Sequence, residues 1–134
     1  MKKILLSALL VIATSIAIAQ GPPRSSKKVQ VAILFDTSNS MDGLIAQAKS
    51  RIWNIVNEVS TLRYRETSPT IEFAIYEYGN DGLESSDDYI RQVLDLSTDL
   101  DEISQKLFAL TTNGGSEFCG AVTKEALDKL KWSN

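Results

Sequence analysis

The feature that most limits the possible folds is a junction. The apolar run at residues 29–35, "VQVAILF", passes without a break into "DTSNS" at residues 36–40, and from there into a long amphipathic stretch. The run is rich in β-branched residues and is interrupted only by Gln30, a pattern that suits a central parallel strand covered on both faces. Directly behind it, Asp36, Thr37, Ser38 and Ser40 present one carboxylate and three hydroxyls. Two readings compete for that cluster. An ordinary turn into a helix needs only one capping hydroxyl. A metal site would use several oxygens at once.

The rest of the chain supplies the frame. Leu44, Ile45, Ala48, Ile52, Ile55, Val56, Val59 and Leu62 recur at steps of three and four, which predicts an amphipathic helix over about 41–62. Asn39 or Ser40 is expected to cap it, with Asp42 near the positive end of its dipole, and Pro69 forbids any continuation. Residues 70–78, "TIEFAIYEY", alternate as a strand with one face wetter than the other. The loop "GNDGLESSDD" leads to a second alternating strand, "YIRQVLDL", and so short a link predicts an antiparallel hairpin. Glu84, Asp87 and Asp88 lack the spacing of an EF-hand and read as a solvated loop. A helix capped by Ser97 or Thr98 follows, with Leu100, Ile103, Leu107 and Leu110 inward. After the loop "TTNGGSEFCG", a last helix is expected over 117–132. The order β α β β α α implies an open α/β sheet, whose ligands bind beyond the carboxyl ends of the strands.

Composition removes whole classes of function. The chain has 134 residues, a net charge of −3 and no basic cluster, which argues against a nucleic-acid partner. It has no histidine, so Ser-His-Asp and Cys-His catalysis and His-ligated zinc are excluded. The one cysteine, Cys119, has no internal partner for a disulfide and is expected to be a small buried side chain in a helix. Residues 1–19, "MKK" followed by an apolar stretch ending in Ala-Ile-Ala, read as a secretory signal peptide of bacterial type. Cleavage after Ala19 leaves no membrane span, a linker at 20–28 and one domain at 29–134, exported to the periplasm or the cell exterior.

An apolar strand ending in D-x-S-x-S, here Asp36, Ser38 and Ser40, then a long helix and a later G-G-S segment leading into another helix, resembles the von Willebrand factor type A (VWA) family. The resemblance is also close to its exported bacterial members and covers about 28–132. It implies a three-layer, Rossmann-like α/β fold with the second and third strands as a hairpin and the first strand central in the full domain, one of its edges lying open in this shorter chain. It also implies a metal-ion-dependent adhesion site (MIDAS) for Mg2+ or Mn2+. Ser38 and Ser40 would donate hydroxyl oxygens, Asp36 would act directly or through water, and Ser116 would take the place of the usual threonine. A protein partner would offer an acidic side chain to the ion, in a binding module rather than an enzyme. The family places another acidic ligand after a fourth strand, so 29–134 is expected to be the N-terminal portion of a truncated domain. Two other readings stand beside this one. The first is a metal-free structural or assembly module. The second is a phosphohydrolase resembling the haloacid dehalogenases, in which Ser38 occupies the place of the second acid.

Overall fold

The computed structural model describes residues 27–64 and 67–133. The expected signal peptide and most of the linker lie outside the described residues. Strands β1 (Lys28–Asp36), β2 (Thr70–Tyr78) and β3 (Ile90–Ser97) form a sheet in the order β1-β2-β3. Helix α1 (Ile45–Ser60) connects the first two, and α2 (Leu100–Ala109) and α3 (Cys119–Lys129) follow the third. β1 and β2 are parallel, from Lys28 opposite Thr70 to Asp36 opposite Tyr78. β3 returns antiparallel as the predicted hairpin, with its register broken on either side of Ile75. The result is a partial Rossmann-like fold of the expected class.

The period of two along each strand sorts the core into two halves. Ile33, Phe35, Phe73 and Ile75 face one way and pack with Leu94 against Val56 of α1 and Ile103 and Leu107 of α2. Ala74 and Tyr76 face the other way, against Val122 and Ala126 of α3 and Leu130 just beyond it. Ile103 and Leu107 are fully buried, each contributing about 1.5–3 kcal/mol. α1 is fastened to the same layer by Lys49, whose Nζ is withdrawn from solvent. It donates to the carbonyl of Phe108 at 3.0 Å and to that of Leu110, satisfying acceptors that the end of α2 leaves open. Burial lowers the Lys49 pKa, an effect that the nearby Glu77 carboxylate opposes.

Several expectations need correction. Among the described residues β2 is the central strand, buried on both faces along most of its length, and β1 lies at one side of the sheet with the open edge expected for it, although its apolar run suits a central strand. An apolar run reports that the faces of a strand are covered; it carries no trace of which edges are paired. α1 begins at Ile45 rather than Met41, because a 3-10 turn at Asn39–Met41 and Gly43 at φ +76° precede it. Leu44, Ile55 and Leu62, placed on its apolar face, are exposed. α2 is capped by Asp99, whose Oδ1 accepts from the amides of Asp101 (3.0 Å) and Glu102 (3.1 Å), because β3 runs on through Ser97. α3 begins at Cys119, and Cys119 is exposed, at the helix entrance rather than within a packed face. Among the described residues no helix is long and apolar enough to cross a membrane.

Candidate metal centre

Asp36 ends β1, and the five residues from 36 to 40 turn the chain over the rim of the sheet. Thr37 belongs to the interior. Its amide donates to the carbonyl of Tyr78 at 3.0 Å and its hydroxyl to Glu77 Oε1 at 3.0 Å, with both side chains essentially inaccessible. Asp36, Ser38 and Ser40 are brought together instead. Asp36 Oδ1 accepts from the Ser38 amide at 2.8 Å, an Asx turn that locks the carboxylate over the loop. The Ser38 and Ser40 hydroxyl oxygens lie 2.9 Å apart. Neither serine is used as a cap: Ser38, which leads into the 3-10 turn, makes no capping hydrogen bond, and the residue preceding α1 is Leu44. Asn39, the other expected cap, is engaged elsewhere.

Its partner is the loop between α2 and α3. The Asn39 amide donates to the Gly114 carbonyl at 2.8 Å, and the Gly114 amide returns a bond of 2.7 Å to Asn39 Oδ1. Asn113 donates to the Thr37 carbonyl at 3.0 Å, and Thr112 Oγ1 reaches Asp42. These bonds bring the two loops together, as the sheet topology predicts for loops at the carboxyl ends of strands. The approach depends on glycine. Gly115 has φ +122°, and a Cβ there would overlap the carbonyl of Gly79.

Ser116, the fourth predicted ligand, is exposed, and its chain neighbours are what tie it to this rim. On one side is Gly115, pressed on Gly79; on the other is Glu117. A methyl group at Gly79 would stand 3.2 Å from Asp36 Oδ1, 3.4 Å from Ser38 Cβ and 3.4 Å from Glu117 Cγ. Glu117 therefore belongs to the same small space, and sequence reasoning missed it by assigning it to the last helix. An acid directly after the G-G-S segment was the available signal. Tyr78 was missed as well. Burial pushes its phenol up to about 12, helped by the Asp36 carboxylate, by the hydrogen-bonded Cys119 thiol and by Glu117. Beyond it, the rings of Phe118 and Tyr89 stack with centroids 6.4 Å apart, fastening this loop to the hairpin.

The donor set suits a hard divalent cation. An octahedral Mg2+ with oxygens at about 2.0–2.1 Å separates adjacent ligands by about 2.9 Å. The Ser38 and Ser40 oxygens have that separation already. Among the described residues no three His, Cys, Asp or Glu side chains gather as a metal cluster, so the candidate site is weighted towards hydroxyls. Asp36, Ser38, Ser40 and Ser116 would hold the ion, and the ion would supply an electrophilic point at the rim of the sheet.

No protein-family model matches the sequence, and no curated protein matches it. Solved structures do match. The von Willebrand factor domain of Mfa5, the type V pili tip protein of Porphyromonas gingivalis, is 17% identical, with a TM-score of 0.50 over 76% of this chain and 32% of that one. BatB from Bacteroides thetaiotaomicron, a conserved hypothetical protein, is 18% identical, with a TM-score of 0.54 over 79% of this chain and 48% of that one. Proximal thread matrix protein 1 from the mussel byssus, solved with zinc in its MIDAS motif, is 13% identical. Its TM-score is 0.54 over 79% of this chain and 26% of that one. The chain spans less than half the length of each of these structures. Strand order, hairpin and the two joined loops, together with these neighbours, show that the described residues have a partial von Willebrand factor type A fold.

Proposed function

We propose that this chain is an exported, non-enzymatic binding module whose rim holds Mg2+ or Mn2+ through Asp36, Ser38, Ser40 and Ser116. The ion then accepts an acidic side chain from a protein partner. The observation that carries the reading is the Ser38–Ser40 oxygen pair at 2.9 Å, beside a carboxylate and free of any capping duty. A site with one carboxylate among hydroxyls leaves much of the cation's charge unneutralised, so an external carboxylate gains strongly by joining it. The neighbours lend support of two kinds: one carries zinc in its MIDAS motif, and another is a pilus tip protein. Export rests on the signal-like residues 1–19.

A cation that binds only the folded state must raise the melting temperature. At a hundredfold excess over Kd the stabilisation is about 2.7 kcal/mol. Mg2+ or Mn2+ is expected to shift the unfolding of the purified chain upward, and Asp36→Ala to remove the shift while the apo protein still folds. An intact fold indifferent to both ions would instead favour a metal-free assembly module. That reading draws on the hydrogen bonds by which Asp36, Ser38 and Ser40 already satisfy one another.

A further inference from the structure

We propose that Glu117 is a direct carboxylate ligand of the same cation, supplied by the second loop. The inference rests on the metal reading above and deepens it. Asp36 Oδ1, Ser38 Cβ and Glu117 Cγ all lie within 3.4 Å of the point where Gly79 lacks a Cβ. From its Cγ, a glutamate carboxylate extends one further carbon and its two oxygens, enough to enter the space that the Asp36 carboxylate and the serine hydroxyls share. Among the described residues neither Asp36 nor Glu117 takes part in an ion pair. Asp36 Oδ1 and Glu117 Cγ thus flank one glycine with no cationic side chain in an ion pair with either residue, and a divalent ion at this rim would attract both carboxylates.

The backbone keeps Glu117 in place. Gly115 is fixed against Gly79 two residues earlier, and Phe118 is stacked on Tyr89 one residue later. Both anchors lie outside α3, which begins only at Cys119, so the segment bearing Glu117 is set by the loop contacts and not by the helix. A second carboxylate from this loop lets residues 27–133 complete a cation site from their own side chains. It also lowers the net charge of the bound ion, which tunes how strongly an outside carboxylate is drawn to it.

The test is Mn2+ binding to the full chain, followed by electron paramagnetic resonance of the free ion and by water-proton relaxation of the bound ion. Glu117→Gln is expected to weaken binding by about tenfold or more and to add one water to the bound Mn2+, with the apo melting temperature unchanged. Asp101→Asn, an exposed carboxylate of α2, should leave binding as it was. If Glu117→Gln binds within twofold of the parent while Asp36→Ala abolishes binding, Glu117 is not a ligand and the metal reading survives. Weaker binding at unchanged hydration would make Glu117 a distant charge only, and that too overturns the assignment. If neither the parent nor any variant binds Mn2+, the metal reading itself fails.

Discussion

The Thr37 hydroxyl donates to Glu77 Oε1 at 3.0 Å across the β1–β2 pair, between two side chains that solvent does not reach. Asn80 Nδ2 donates to the same oxygen at 3.1 Å, and Arg91 closes an ion pair with Oε2 at 2.5 Å. A buried carboxylate is tolerable only when its lone pairs are used in this way. Because Thr37 sits between Asp36 and Ser38, the network beneath the sheet rim also fixes the direction in which the candidate ligands leave it.

Thr37→Val keeps the shape and deletes the donor. Glu77 then loses one of its buried hydrogen bonds, at a cost of about 1–3 kcal/mol. In a domain of this size each kcal/mol lowers the melting temperature by roughly 4–8 °C. The same substitution is expected to weaken Mn2+ binding, since Asp36 and Ser38 lose the residue that anchors them. An unchanged melting temperature would mean that the network contributes nothing to the rim.

Two glycines should respond in opposite directions. Alanine at 115 would meet the Gly79 carbonyl and sit at φ +122°, so Gly115→Ala is expected to cost more than about 2 kcal/mol. Gly120 lies inside α3 with nothing within 4 Å of its missing Cβ, and Gly120→Ala should gain about 0.5–1 kcal/mol. Urea unfolding of the two variants measures both. Similar midpoints for the two would contradict the close approach of the loops.

Acid should release one surface tie. Lys28 Nζ at 2.9 Å and Gln30 Nε2 at 2.7 Å hydrogen-bond the Glu72 carboxylate and lower its pKa from 4.5. A folded-state value below the unfolded one adds stability that is complete above about pH 4.5 and is lost as the pH falls through the lower value. The tie is partly exposed, so it is worth no more than about 1 kcal/mol. The stability difference between the parent and Glu72→Gln should shrink from about pH 6 to about pH 3. A constant difference would show that Glu72 gains nothing from these partners.

How much of this was legible in the sequence depends on what side-chain pattern encodes. The three-four steps of Ile45, Ala48, Ile52, Val56 and Val59 report a packed helix face, and the short loop rich in Gly, Asn and Asp after Tyr78 reports a hairpin. Both are local properties of the chain. Glu77 is different: its partner Thr37 lies 40 residues away, so nothing near it in sequence announces that a charged residue of the central strand is satisfied. The start of α1 was misplaced because Asn39, Ser40 and Asp42, which look like a cap, are spent on the neighbouring loop and a 3-10 turn. Asp36, Ser38 and Ser40 were readable as a unit from their alternate spacing. Glu117 was not, because helical periodicity was extended two residues ahead of the true start of α3.

The most direct test of the metal centre is a crystal structure of the chain grown with Mn2+ and measured for anomalous scattering. The account predicts a peak at about 2.0–2.3 Å from the hydroxyl oxygens of Ser38 and Ser40, with Asp36 and Ser116 closing around it. An ordered rim in which those two hydroxyls remain bonded to each other, with no anomalous peak between the loops, would contradict it.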